Sequence, residues 1–222
     1  MAYEIEIKLA ITNTKKLLRG LQRLGAKPVD AKMPRVHQMN LIFDTPDGGL
    51  AKHGQLLRIR TETPAPAKKV AKAKGVTRTL LTFKSPPEQL AIGDVTPSRD
   101  RRHKVREEIE TELKDGATVQ RIFEGLGLRG WFRYEKYRTT YALPGRLGWA
   151  KGLLIELDET PIGTFVELEG PGAAIDRAAK ELGFSQREYV VKNYLVLYLD
   201  ECKRKGVSPA DMLFGEGKRG KG

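Results

Sequence analysis

This chain of 222 residues is short of cysteine, histidine and long apolar runs, and each shortage excludes something. Its one cysteine, Cys202, cannot close an internal disulfide, so the fold rests on packing and a reducing cytoplasm is the expected compartment. Its three histidines, His37, His53 and His103, lie far apart and away from the cysteine, which leaves no zinc set of the usual spacing. No apolar stretch approaches the length of a membrane span, and no membrane partner is expected. The N-terminus lacks the basic and apolar regions of a secretion signal. Gly48-Gly49 after Asp47 reads as a turn, because no Gly-x-Gly-x-x-Gly or Walker pattern follows. Aromatic residues are few and are not interleaved with the basic runs, which argues against a single-strand nucleic-acid platform.

Charge is abundant and unbalanced. Forty Lys and Arg stand against 28 Asp and Glu, a formal net charge of +12. A basic balance invites a polyanionic partner, so the place of the excess matters. Residues 61–79 hold Lys68, Lys69, Lys72, Lys74 and Arg78 against Glu62 alone, and residues 203–222 hold six bases against Asp211 and Glu216. These read as a solvated connection and a solvated tail, through which only weak contact with nucleic acid is expected.

The rest of the chain alternates. In "YEIEIKLA", Glu4, Glu6 and Lys8 share one face and Ile5, Ile7 and Leu9 the other, the period of a β-strand. "HQMNLIFD", "QLLRIRTE", "TRTLLTFK", "HKVREEIETEL", "WFRYEKYRTTYAL", "GLLIELDE" and "GTFVELEG" read as seven more strands. Helical spacing appears in "NTKKLLRGLQRLGAK", capped by Thr12 or Asn13 and ended by Gly25, and in "ATVQRIFEGLGL" and "AAIDRAAKELG". "QREYVVKNYLVLYLDECKRK" reads as one longer helix. Three times a strand with paired acids runs into a helix that closes on Leu-Gly: at Leu24-Gly25, Leu126-Gly127 and Leu182-Gly183. No linker divides this pattern, so one domain is expected over residues 1–205, with 206–222 as a flexible basic tail. "TPAPAKKVAKAKGV" and "SPPEQLAIGDVTPSRDR" read as flexible connections.

The charged faces carry the chemistry. They present Arg58 and Arg60, Thr82 and Lys84, Arg106 with Glu108 and Glu110, Lys136 and Arg138, Glu156 and Asp158, and Glu167 and Glu169. One such strand is the wet face of a half-buried sheet. Repeated on nearly every strand, like charges side by side destabilise the sheet unless something of opposite sign lies between them. Hard divalent cations such as Mg²⁺ or Mn²⁺ would relieve converging carboxylates, and phosphate would relieve converging Lys and Arg. An eight-stranded barrel has room inside for side chains and one small ligand. The expected fold is therefore α+β: an eight-stranded antiparallel β-barrel with a polar, charged lumen and helices packed on its apolar outer face.

These segments, in this order, resemble the CYTH family, the triphosphate tunnel metalloenzymes. "EIEIK" is similar to the family's opening E-x-E-x-K signature, and "NLIFDTPDGGL…LLRIR" to its Phe-Asp-Thr turn and L-R-x-R strand. "LTFK", "REEIE", "EKYRTTY", "LDETPIGTFVELEG" and "KNYLVLYL" resemble the later strands and the closing helix, so the likeness covers about residues 3–200. It implies a tunnel that binds a triphosphate with divalent metal, two ions of Mg²⁺ or Mn²⁺. Carried over by position, Glu4 and Glu6 would hold a metal with Glu167 and Glu169 opposite. Asp158 and Glu110, with Glu108, would serve a second metal or orient the attacking water. Lys8, Arg58, Arg60, Lys84, Arg106, Lys136 and Arg138 would line the phosphate path, and Lys192 would reach in from the last helix. Glu156 is in phase with Asp158 but matches no family position, and Tyr194 and Tyr198 are expected to pack.

Two reactions fit that cradle. Water can attack a terminal phosphate of tripolyphosphate, thiamine triphosphate or a nucleoside triphosphate. Alternatively the 3′-hydroxyl of ATP attacks its own α-phosphate, as in class IV adenylyl cyclases. Hydrolysis is preferred because it needs only the cradle and water. A non-catalytic polyphosphate- or nucleotide-binding module is the third reading, disfavoured because an anion binder gains nothing from so many carboxylates. The oligomeric state is left open.

Overall fold

The period-two segments become strands because β-branched and aromatic residues alternate with charged ones along each. In the computed structural model, which describes residues 2–65, 76–86 and 102–215, they are β1 (Ala2–Ile11), β3 (Val36–Asp44), β4 (Leu56–Pro64), β5 (Arg78–Lys84), β6 (Lys104–Leu113), β7 (Arg129–Ala142), β8 (Leu154–Thr160) and β9 (Gly163–Glu169). A two-residue strand, β2 (Lys27–Pro28), adds to them. Every pairing is antiparallel, and the order β7-β3-β4-β5-β6-β1-β9-β8 closes through β7–β8 into an eight-stranded barrel.

Three short segments fill ladder positions that the eight strands leave open. β2 pairs with Tyr141 and Ala142 beyond the start of β3. Val190 exchanges two backbone hydrogen bonds of 2.9 Å with Lys8, beyond the end of the β1–β6 ladder. Met212 bonds to Arg133 and Glu135 at 2.9 and 3.1 Å, where β8 no longer accompanies β7.

The barrel is apolar outside. Ile7 and Leu9 of β1, Ile155 and Leu157 of β8, and Val166 and Leu168 of β9 form the main core with Leu17 and Leu21 of α1 (Thr14–Leu24) and Ala174, Ile175, Ala178 and Ala179 of α4 (Gly172–Glu181). Each fully buried aliphatic side chain contributes roughly 1.5–3 kcal/mol, so this packing turns the charged residues of the same strands inward. Asn13 caps α1 through a 2.9 Å bond from the Lys16 amide, and left-handed Gly25 ends it. The Leu-Gly endings recur after α3 (Gly116–Gly125) and α4, at positive φ in Gly127 and Gly183. A four-residue helix, α2 (Gly49–Lys52), follows the Thr45 turn. A second apolar cluster, Ile42, Phe132, Tyr134, Phe165, Tyr194 and Met212, closes one end of the lumen.

The chain departs from its sequence reading at three places. The expected helix from Gln186 to Lys205 is interrupted: a 3₁₀ turn at Gln186–Glu188 is held by a Ser185–Glu188 capping box, and Val190 is extended against β1. Asn193 then caps a new helix, α5 (Tyr194–Lys205), by accepting from the Val196 amide at 2.9 Å. The expected flexible tail from 206 does not hold as far as residue 215, because Met212 is buried and Phe214 lies against Tyr137. The expected connections also narrow, since β4 runs to Pro64, β5 starts at Arg78 and β6 starts at Lys104. Residues 66–75, 87–101 and 216–222 lie outside the described residues, and the expected basic positions Lys68, Lys69, Lys72 and Lys74 and those of the extreme C-terminus fall among them. No helix among the described residues is long and apolar enough to cross a membrane.

Candidate active site

The inward faces enclose a cavity of about 550 Å³. Its wall includes the predicted residues Glu4, Glu6, Lys8, Arg58, Arg60, Lys84, Arg106, Glu108, Glu110, Lys136, Arg138, Glu167 and Glu169. Strand parity alone brings these together, because one inward residue forces the next at i+2.

Five acids of the wall, Glu4, Glu6, Glu156, Glu167 and Glu169, gather on three neighbouring strands, β8, β9 and β1, while Glu108 and Glu110 stand on β6 and Glu62 on β4. Glu156 is registered opposite Glu167, and Glu6 opposite Glu169, so like charges face each other directly. Cations compensate some of them. Glu4 takes Lys84 Nζ at 2.7 Å on both oxygens and Arg106 Nε at 3.3 Å. Burial would push its pKa up, but Lys84 and Arg106 hold it below the ordinary value. Glu6 meets Lys8 at 3.2 Å and Lys104 at 2.7 Å, and these hold its pKa low against the same burial. Lys8 lies between Glu6 and Glu167, 3.1 Å from the latter. Glu169 is the exception. Burial raises its pKa, Glu156 and Glu4 add to the effect, and the group is pushed up to about 8. Glu156, in contact with Arg138, is also raised, by burial and by Glu167 and Asp158.

This crowding is the fit test for a metal. The donors are all carboxylate oxygens, which suit a hard divalent cation. The raised pKa of Glu169 comes first from burial and then from repulsion by Glu156 and Glu4, and a bound cation would relieve both. Among the described residues no group of three or more ligands already stands in coordinating geometry, since ion pairs hold Glu4, Glu6 and Glu167. Glu4, Glu6, Glu167 and Glu169, with Glu156 beside them, are the residues that fit.

Of the bases on the wall, Arg58 and Arg60 lie on β4, Lys136 and Arg138 on β7, Arg78 and Lys84 on β5, Lys104 and Arg106 on β6, and Lys8 on β1. Arg58 Nη2 bonds Thr82 at 3.0 Å and stands 3.8 Å from Glu110, while Thr82 donates to Glu110 at 2.8 Å. Arg60 donates from Nε to Asn40 at 3.0 Å and approaches Glu62 at 3.4 Å. Glu62 is also bound by Gln38 and Arg78, both at 2.7 Å. Lys84 joins Glu108 at 2.9 Å.

Two predicted residues stand elsewhere than expected. Asp158 has no exposed surface, and it accepts from Lys136 at 2.6 Å, from Arg138 at 2.6 and 2.7 Å, and from Tyr194 at 2.7 Å. Those bonds engage both its oxygens, and it lies beneath Lys136, Arg138 and Tyr194 and not among the residues that line the cavity. Lys192 is corrected outright. It precedes α5, is half exposed and pairs with Asp200 at 2.7 Å; its neighbours Asn193 and Tyr194 line the cavity instead.

Some residues of the wall were not read from the sequence. Lys104 shares the parity of Arg106, and Tyr134 that of Lys136, so alternation alone could have found both. Tyr194, expected only to pack, has Lys136 and Lys8 over its ring at 4.7 and 5.4 Å. Glu156 reaches the wall in phase with Asp158. His37 stays outside the lumen, bonded to Glu135 at 2.7 Å. Cys202 is buried.

Comparison with known proteins agrees with this geometry. The sequence profile of the CYTH domain matches residues 2–193. A Methanocaldococcus jannaschii protein provisionally named an adenylate cyclase is 25% identical over 205 residues, 87% of this chain and 97% of that one. A solved Pyrococcus horikoshii structure superposes with a TM-score of 0.66 at 23% identity, covering 89% of this chain and 99% of that one. A Hippeastrum protein provisionally called an adenylyl cyclase, and reported to have a dominant triphosphatase activity, superposes with a TM-score of 0.51 at 21% identity, over 93% and 97% of the two chains.

Proposed function

The chain belongs to the CYTH domain family, whose members are adenylyl cyclases or triphosphatases, and on that premise we propose that it hydrolyses a triphosphate inside the barrel with a divalent cation as cofactor. The substrate would be inorganic tripolyphosphate, thiamine triphosphate or a nucleoside triphosphate. What carries this is the make-up of the cavity wall: carboxylates crowded on β8, β9 and β1, with Glu169 raised by burial and by its acid neighbours, share one lumen with Arg and Lys of β4 and β7.

Glu4, Glu6, Glu167 and Glu169 would hold Mg²⁺ or Mn²⁺. Such an ion supplies charge neutralisation of the phosphates and lowers the pKa of a bound water. Arg58, Arg60, Lys136 and Arg138 would hold the phosphate chain, with Lys84, Arg106 and Lys8 between the two walls. Asp158 keeps Lys136 and Arg138 aimed. Glu110, less buried than the metal-facing acids, would orient water while Thr82 fixes its carboxylate. Positioning and electrostatics of this kind provide most of the catalysis in phosphoryl transfer.

Cyclisation of ATP is the second reading, supported by the name of the Methanocaldococcus jannaschii relative. Product analysis separates the two. The protein is incubated with tripolyphosphate or ATP and Mg²⁺ or Mn²⁺. EDTA-sensitive orthophosphate is expected; cyclic AMP with pyrophosphate would replace the first reading by the second. Tight metal-dependent binding without turnover would leave a binding module.

A further inference from the structure

Two buried phenols stand on the cavity wall and are differently engaged. Tyr194 gives its O–H to Asp158 at 2.7 Å. The Tyr134 oxygen accepts from Arg58 Nη1 at 3.2 Å, and among the described residues no acceptor takes its proton. The groups around Tyr134 are donors as well. Arg58 Nε is buried with no acceptor. Arg60 comes from the same strand, β4, and Lys136 lies two residues along β7. Asn40 donates its amide N–H to the Tyr134 carbonyl at 3.3 Å, and its oxygen accepts from Arg60 Nε at 3.0 Å. Glu110 comes no closer to Arg58 than 3.8 Å and already accepts from Thr82. Gln38 Oε1, on β3 opposite Lys136, is a buried acceptor without a partner, but it is neutral. Buried polar groups are nearly always paired, so a corner with the unspent donors Arg58 Nε and Tyr134 O–H among three cations is short of an anion.

We propose that the Tyr134 phenol donates its unspent O–H to a phosphoryl oxygen of the bound polyphosphate, as a substrate-contacting residue of the cradle. This rests on the polyphosphate reading of the cavity and adds a neutral donor to its lysines and arginines. A hydrogen bond to an ionised phosphate oxygen is charge-assisted and so among the stronger ones.

The same neighbours link binding to protonation. Burial alone would raise the Tyr134 pKa, but Arg58, Lys136 and Arg60 outweigh it and bring the phenol down to about 8. Tyr194 packs beside it with ring centroids 6.4 Å apart, and Thr82 reaches it only through Arg58. A phenolate cannot donate, and it repels phosphate. A polyanion bound at this corner offsets the same three cations, so the phenol keeps its proton to higher pH. Lys104 and Glu169 are also placed at about 8, so a variant is needed to isolate the phenol. Tyr141, Tyr189, Tyr194 and Tyr198 are pushed the other way.

The test follows tyrosinate absorbance in the near ultraviolet as pH rises, in metal-free protein with and without saturating inorganic tripolyphosphate. In the wild type an ionisation near 8 is expected, and bound tripolyphosphate moves it upward. In Tyr134→Phe that ionisation is missing, and calorimetry at neutral pH gives tripolyphosphate affinity about tenfold weaker, the loss expected for one charge-assisted bond. A midpoint that bound tripolyphosphate leaves in place overturns the inference, as does unchanged affinity in the variant. If Tyr134→Phe fails to fold, the wild-type titration decides alone. If tripolyphosphate gives no binding heat with the wild type either without metal or with Mg²⁺, the polyphosphate reading falls and this inference falls with it.

Discussion

Two walls of one cavity treat the same side chains in opposite ways. Tyr134, among Arg58, Arg60 and Lys136, is brought down to a pKa of about 8; Tyr194, bonded to Asp158 and near Glu167, is raised well above the ordinary value. Both phenols are buried, so burial cannot be what separates them. The sign comes from the neighbouring charges. The lumen is therefore polarised, with a donor-rich side around Tyr134 on β4 and β7 and an acid-rich side on β8, β9 and β1. A ligand that is anionic and carries a cation fits both sides at once.

The largest effect is expected from breaking the acid side. Glu4→Gln or Glu6→Gln should lower metal-dependent turnover by at least about a thousandfold, comparable to removing a principal electrostatic stabiliser. Circular dichroism should remain that of the folded protein, because shape is conserved and the cavity admits water to the freed lysines. Turnover within tenfold of wild type would remove these residues from the metal assignment. On the donor side, Arg60→Ala should raise KM about ten- to hundredfold and change kcat much less, since a charged hydrogen bond contributes about 1.5–3 kcal/mol. An equal fall in kcat with KM unchanged would place Arg60 in the transition state only.

A smaller effect concerns stability. The Glu169 pKa is raised from 4.5 to about 8 in the fold. A carboxyl raised on folding leaves stability intact below 4.5 and withdraws it as pH climbs through about 8. The melting temperature of metal-free protein should therefore fall across that window, and Glu169→Gln should flatten the slope. A slope that the substitution does not change would refute the crowding described for Glu169. The smallest effect belongs to Lys192→Ala. With its side chain at the surface against Asp200, kcat/KM should stay within about twofold; a tenfold loss would return Lys192 to the site.

Strand parity explains what was legible in the sequence. Glu4, Glu6 and Lys8 alternate with Ile5, Ile7 and Leu9, and that period survives folding because Ile7 and Leu9 are buried outside against α1 and α4. The same rule carried Arg58, Arg60, Lys136, Arg138, Glu167 and Glu169 to the lumen. It failed where long-range contacts override local spacing. Val190 to Lys192 share the helical spacing of α5, but the Val190–Lys8 bridge keeps them extended and Asn193 restarts the helix. Met212 looked like part of a tail because its partner edge, at Arg133 and Glu135, is about 80 residues distant in the chain. Asp158 has the right parity, yet its depth beneath Lys136, Arg138 and Tyr194 depends on how α5 seats, which no local pattern encodes.

The most direct measurement is a crystal structure of the protein with Mn²⁺ and tripolyphosphate, the metal located by its anomalous scattering. Manganese is expected among Glu4, Glu6, Glu167 and Glu169, with phosphoryl oxygens on Arg58, Arg60, Lys136 and Arg138. Manganese away from those carboxylates, or a phosphate chain bound outside the barrel, would contradict the division of the lumen into two walls.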